Sequence, residues 1–369
     1  MSMPCVALML GLTWLGSAGP ASAVRAEEAI LSRPRFRVGF QVLDFGLRAD
    51  GSATTITVAV WYPTAAAPAP HTYGGPTTGM VAVGAEPLAG AGPCPLLVFS
   101  HGYGGTGLGA VFLAERLAAR GWIVAAPDHH DSHSAARIRT GGSTPFDRRG
   151  LLMDARAISE SGVADRTNYL YRIDELRCAI EGVLGCERFG GMLDPARMAL
   201  GGHSFGGFTA LGLCGTMPDR LDPRIRAVLL FSTGAGGYLY TDEELARVSI
   251  PAMVFVGERE RGRRRGDATM SELAGKVYRS MRPPKYFIEV RDANHFSFNN
   301  GFSTRFGARW TRGTEDQFRV IGDYSAAFLE RHAAGRLEKD SALDRQDPML
   351  TVFLKDLGPG AAAADGPCE

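Results

Sequence analysis

Short apolar runs alternate with amphipathic stretches along most of this chain. Pro95-Leu96-Leu97-Val98-Phe99-Ser100 has no polar position before its last residue, the pattern of a strand buried on both faces of a parallel sheet. A helical segment over Ala110 to Arg120 follows, then a second buried strand, Trp122 to Ala126. Strand character recurs at Met198–Leu200, Ala227–Phe231, Pro251–Val256 and Tyr286–Val290, with helical stretches between. From Asn168 to Leu184, Leu170, Ile173, Leu176, Ile180 and Val183 recur every three or four residues and share one helical face. Tyr324 to His332 reads as a late helix. Two strands open the series, Phe36–Phe45 and Thr55–Tyr62, around the turn-forming Ala49-Asp50-Gly51-Ser52, and Pro63 ends the second. Strand–helix–strand alternation predicts an α/β fold: a mostly parallel central sheet with helices on both faces.

Two segments depart from that rhythm. Thr64 to Pro95 is rich in Ala, Pro and Gly without periodicity and reads as a surface loop. Residues 129–165, polar and rich in Gly, Arg and Ser, read as an excursion after the fourth strand. No internal repeat is visible, so residues 24–355 read as one domain with insertions, and 356–369 as a flexible tail. Residues 1–23 carry no charged side chain, and Ala21-Ser22-Ala23 after an apolar run fits a cleaved secretory signal. The expectation is a secreted or periplasmic protein with no stable membrane span once the signal is cut. The run from Cys5 to Trp14 is too short to read as a membrane span.

Composition narrows the partners more than the fold. Hydrophobic residues make up 45% and charged residues 21%, which suits a folded globular chain. A formal net charge of +1 provides no global field for nucleic acid, so no nucleic-acid partner is expected. Beyond Cys5, five cysteines remain (Cys94, Cys178, Cys186, Cys214, Cys368), an odd number without C-x-x-C spacing. One disulfide is plausible in an exported chain; a zinc ribbon is not.

Chemistry concentrates at Gly202-His203-Ser204-Phe205-Gly206, a G-x-S-x-G string between a buried strand and an apolar helix. A serine on so tight a turn projects its hydroxyl above the sheet edge, and glycines are needed where neighbouring strands crowd it. The helix that follows aims free N–H groups at the reacting centre. Ser204 is therefore the candidate nucleophile, and the Phe205 N–H one oxyanion donor. The second donor is expected from His101-Gly102-Tyr103-Gly104-Gly105, with Tyr103 the candidate. Tyr103 and His203 are also expected to face the substrate.

The base should follow the last strand, where Arg291-Asp292-Ala293-Asn294-His295 places His295, the side-chain type suited to general-base work. No carboxylate follows Phe231-Ser232-Thr233. After Val256 the loop offers Glu258, Glu260 and Asp267; a glycine with an acid three residues later selects Glu260, with the other two as alternatives. The arginines at 259, 261, 263, 264 and 265 read as a solvated face. His129, His130, Asp131 and His133 are too closely spaced to present three ligands tetrahedrally, so no metal site and no cofactor are expected.

The chain resembles the platelet-activating-factor acetylhydrolase-like and predicted dienelactone-hydrolase-like branch of the α/β hydrolases over roughly residues 38–335. The likeness rests on Trp61-Tyr62-Pro63, Phe99-Ser100-His101-Gly102-Tyr103-Gly104-Gly105, Ala125-Ala126-Pro127-Asp128-His129, Arg172-Ile173-Asp174-Glu175-Leu176, Gly202-His203-Ser204-Phe205-Gly206-Gly207 and Asn294-His295-Phe296. It implies the α/β-hydrolase fold and esterase- or lipase-like hydrolysis of a small or lipid ester without a cofactor. Two departures limit what carries over. The acetylhydrolases place their acid after the strand that ends here in Phe231-Ser232-Thr233, and dienelactone hydrolases proper use a cysteine where this chain has Ser204. A serine peptidase, or a catalytically silent binding protein on the same fold, are the rival readings.

Overall fold

A computed structural model describes residues 35–49, 52–140, 147–262, 264–301, 312–337 and 341–359. The signal segment 1–23, the Asp50-Gly51 turn, Cys368 and the last ten residues of the expected tail lie outside the described residues. From Phe36 onward the chain forms one compact unit.

The strands are β1 (Arg37–Ala49), β2 (Ser52–Thr64), β3 (Ala69–Gly74), β4 (Thr77–Val83), β5 (Cys94–Ser100), β6 (Ile123–Pro127), β7 (Leu193–His203), β8 (Ile225–Phe231), β9 (Ala252–Gly257), β10 (Arg264–Arg265), β11 (Ala268–Thr269), β12 (Lys285–Val290) and β13 (Leu350–Asp356). The helices are α1 (Val111–Ala118), α2 (Arg148–Glu160), α3 (Tyr171–Leu184), α4 (Phe205–Leu211), α5 (Gly234–Leu239), α6 (Asp242–Leu245), α7 (Met270–Ser280) and α8 (Glu315–His332). Among the described residues, eleven strands form one sheet in the order β13-β12-β9-β8-β7-β5-β6-β2-β1-β4-β3, and β10 pairs with β11. From β12 through β6 all neighbours are parallel; β13, β2 and β1 join antiparallel.

The central strands are apolar over most of their length because each of their faces meets a separate core. In β5, Leu97 and Phe99 enter the layer under α1 and α8, with Trp61, Trp122, Phe231 and Phe328. Leu96 and Val98 enter the opposite layer under α3, α4 and α7, with Ile173, Leu176, Ile180, Phe208 and Val277. The stripe on α3 supplies four fully buried aliphatic side chains, Ile173, Leu176, Ile180 and Val183, each contributing roughly 1.5–3 kcal/mol through burial. Gly182 brings α3 against β1: a Cβ there would lie 2.4 Å from Phe45 Cγ.

The stretch expected as a surface loop, Thr64 to Pro95, instead contains β3 and β4, which pair antiparallel at the sheet edge with Ala69 opposite Val81. Pro70, His71, Gly74 and Gly79 blur its alternation, and an edge tolerates such residues where a central strand does not. The excursion carries α2, started by Asp147, whose side chain accepts the Arg149 N–H at 2.9 Å. Within the expected tail, β13 runs on to Asp356, paired with Lys285 of β12. Cys94, Cys178, Cys186 and Cys214 are free thiols, so no disulfide joins cysteines among the described residues.

Candidate active site

The carboxyl ends of β5, β7, β8, β9 and β12 bring the expected residues together. Ser204, directly after β7, has φ 55 and ψ −117, a conformation costly for any residue but glycine. Its N–H donates to the Phe231 carbonyl at 2.8 Å, which ties the turn to β8. The flanking glycines are required by backbone, not by flexible side chains. A Cβ at Gly202 would lie 2.2 Å from the Gly206 oxygen, and one at Gly206 would lie 2.0 Å from the Ser100 oxygen. Phe205 is the first residue of α4, so its N–H belongs to the turn of donors that no helical carbonyl takes.

His295 lies in the loop after β12, 7% exposed, with Nε2 2.9 Å from Ser204 Oγ. Its Nδ1 faces two groups: Ser232 Oγ at 2.6 Å and Glu260 Oε2 at 3.4 Å. Ser232 donates its hydroxyl proton to Glu260 Oε2 at 2.5 Å, and the Gly257 N–H donates to Glu260 Oε1 at 3.0 Å. Burial pushes the Glu260 carboxyl up, but hydrogen bonding and charge from His295, with bonds from Ser232 and Gly257, outweigh it and hold the group below the ordinary glutamate value. The two alternative acids stand elsewhere: Glu258 accepts the Asp292 N–H at 2.9 Å, and Asp267 is exposed.

Arg259, Arg261 and Arg265 of this loop bond groups other than Glu260, while Arg263 lies outside the described residues. Arg261 bonds Glu289 through Nε at 2.9 Å, and Arg259 pairs with Asp292 at 3.1 Å. Arg265 donates to the Ser159 and Ser161 carbonyls at the end of α2 and lies over the Tyr238 ring.

The loop after β5 passes beside the nucleophile: a Cβ on Gly102 would lie 3.3 Å from Ser204 Cβ. Tyr103 sets its ring edge toward Phe205 at 6.0 Å and donates its hydroxyl to Asp154 Oδ2 at 2.5 Å. The Gly104 N–H donates to Asp131 Oδ2 at 2.9 Å. His203 does not open toward a substrate. It is 4% exposed, and its Nε2–H donates to the His295 carbonyl at 2.8 Å, buttressing the loop that carries the imidazole.

His129 and Asp131 of the histidine-rich stretch form a buried polar layer with His101 beneath this loop, whereas His130 is exposed. Burial lowers the His101 imidazole to about 4, with the nearby Arg172 charge adding to the effect, so it is neutral at pH 7. Its Nδ1–H donates to the Gly102 carbonyl at 2.6 Å, while Nε2 accepts the His129 N–H at 3.1 Å. His129, also lowered by burial, spans Ser100 Oγ at 2.8 Å and Glu175 Oε2 at 2.8 Å. Among the described residues, no group of three or more His, Cys, Asp or Glu side chains is arranged to hold a metal ion.

Sequence reading missed Ser232 because it sought a carboxylate after β8. The signal was the position itself, the first residue past a central strand, with φ 48.

The chain is similar to known proteins over part or most of its length. Residues 72–141 match the family model described as platelet-activating factor acetylhydrolase, isoform II. Lipase 1 of Moraxella sp. (strain TA144) is 26% identical over 153 residues, 39% of this chain and 43% of the lipase, so the match spans less than half of that relative. The structure of a ferulic acid esterase from Streptomyces cinnamoneus superposes with a TM-score of 0.66 at 21% identity, covering 87% of this chain and 97% of the esterase. That last likeness is one of fold, and it shows the α/β-hydrolase fold. The likeness to the acetylhydrolase family is confined to residues 72–141, whereas the likeness of fold extends over most of the chain.

Proposed function

We propose that the chain is a secreted serine hydrolase that cleaves carboxylic esters, small or lipid-like, through an acyl-enzyme. The observation that carries this reading is the 2.9 Å approach of His295 Nε2 to Ser204 Oγ at a strained elbow, with the α4 N-terminus beside it. The related lipase, the acetylhydrolase family and the esterase fold agree with it.

In this reading Ser204 Oγ attacks the ester carbonyl carbon while its proton passes to His295 Nε2. The N–H groups of Phe205 and Tyr103 receive the oxyanion. Collapse breaks the bond to the alcohol oxygen, which leaves with the proton from Nε2. Water then repeats the sequence on the acyl-enzyme and frees the acid and Ser204. Glu260 compensates the imidazolium charge. Every proton is returned, so the cycle needs no cofactor. Among the described residues no helix is long and apolar enough to cross a membrane.

The test is labelling by a fluorophosphonate probe, with turnover of a p-nitrophenyl ester series, for wild type and Ser204→Ala. Labelling and turnover by the wild type alone support the proposal; absence of both from the wild type refutes it. Export is tested by N-terminal sequencing of the protein recovered outside the cytoplasm, where a start at Val24 is expected.

A further inference from the structure

We infer that Ser232 is a positioning residue of this site, a hydroxyl standing between the imidazole and its carboxylate. The inference rests on the reading of Ser204 and His295 as nucleophile and base. The direct Nδ1 to Glu260 Oε2 separation is 3.4 Å, too long for a strong charge-assisted bond, whereas Ser232 Oγ lies 2.6 Å from Nδ1 and 2.5 Å from Oε2. A hydroxyl has one proton and can accept at its lone pairs, and the carboxylate can only accept. The order of donation is therefore fixed: Nδ1–H to Ser232 Oγ, and Ser232 Oγ–H to Glu260 Oε2. That order leaves the lone pair of His295 on Nε2, facing Ser204. No proton leaves Ser232 during the reaction. When Nε2 takes the Ser204 proton, both bonds persist and shorten the electrostatic path from the new imidazolium to Glu260.

The surroundings hold the hydroxyl in place. Ser232 is completely buried, and its N–H donates to the Phe255 carbonyl at 2.8 Å. Its φ of 48 lies in the left-handed region, where an L-residue is strained unless its surroundings fix it. Glu260 is anchored at its other oxygen by the Gly257 N–H, so it cannot approach the ring without giving up that bond. Glutamate serves at this position because a group of serine's size fills the remaining gap.

The experiment measures kcat and KM against pH on a p-nitrophenyl ester for wild type, Ser232→Ala, Ser232→Gly, Glu260→Gln and the double variant Ser232→Asp/Glu260→Gln. Fluorophosphonate titration supplies the active fraction of each. Ser232→Gly is included because glycine accepts the left-handed φ without strain. Loss of one charge-assisted bond predicts a kcat about 10- to 100-fold lower per active site in both Ala and Gly variants, with KM little changed. The acid limb of kcat/KM moves to lower pH, because the imidazolium loses its link to the carboxylate. An aspartate at 232, which tolerates this φ, meets Nδ1 directly, so the double variant recovers at least about tenfold over Glu260→Gln alone. Wild-type kcat and an unmoved acid limb in both Ser232 variants overturn the inference while leaving the hydrolase reading intact. Failure of that reading shows differently, as a wild type that neither labels nor turns over.

Discussion

Arg172 donates from Nη1 to both carboxylate oxygens of Asp131, at 2.6 and 2.8 Å, with both side chains fully buried. The same guanidinium reaches the His101 carbonyl, and Asp131 in turn receives the Gly104 N–H and the Tyr171 hydroxyl. The pair ties α3 to both ends of the loop beside Ser204. The guanidinium holds the Asp131 carboxyl below its ordinary range against the upward push of burial.

Removing one partner should therefore cost more than the pair contributes. Arg172→Ala leaves a buried, unpaired carboxylate, for which about 3–5 kcal/mol of destabilisation is expected. Urea unfolding of Arg172→Ala, Asp131→Asn and the double variant measures it. The double variant is expected to be less destabilised than the two single losses summed. Strict additivity would show that the two residues act independently.

The elbow should tolerate no side chain at Gly206. The backbone oxygen that an added Cβ would meet belongs to Ser100, at the start of the loop carrying Tyr103. Gly206→Ala is expected to lose about 1–3 kcal/mol of stability through overpacking, and most of its fluorophosphonate labelling as Ser204 and the loop move apart. Gly46→Ala in β1 is the control, since a Cβ there has nothing within 4 Å. Labelling at the wild-type rate in Gly206→Ala would show that the turn has room to relax.

Glu260 is expected to be the only one of the three candidate carboxylates that matters to turnover. Glu260→Gln keeps the shape but removes the charge facing His295, so a kcat loss of at least about tenfold is expected. Glu258→Gln and Asp267→Asn should remain within about twofold of wild type, since neither side chain meets the imidazole. A large loss in Asp267→Asn with none in Glu260→Gln would reassign the acid.

Residues under the strictest physical constraint were legible in the chain. Leu96 to Phe99 could only be a doubly buried strand, and Ser204 with His295 followed from strand context and chain order. The placement of Glu260 near His295 was legible from its spacing after Gly257. Ser232 was not, because a serine after a strand carries no chemical signature of its own until Nδ1 and Oε2 are placed around it. The histidines at 101 and 129 were visible as residue types, but their role depends on Arg172 and Glu175 arriving from α3. The β3–β4 edge escaped because its pattern is set by covering β1, not by burial on two faces.

Glu115 on α1 should make stability depend on pH far from the active site. It accepts the Tyr73 hydroxyl at 2.7 Å, and Tyr73 in turn receives the Trp61 indole N–H at 2.9 Å, which ties α1 to the β1–β4 edge. Burial raises the Glu115 carboxyl from 4.5 to about 7. A raised folded value means the native state holds this proton more tightly than the unfolded chain does. The associated stability is complete below about pH 4.5 and is lost as pH rises through about 7, a change of roughly 3 kcal/mol. Glu115→Gln stays neutral throughout, so its unfolding free energy should fall less steeply between about pH 5 and 8. Urea unfolding of both proteins across that range reads the two slopes. Equal slopes would mean that Glu115 ionises in the folded state as readily as in water.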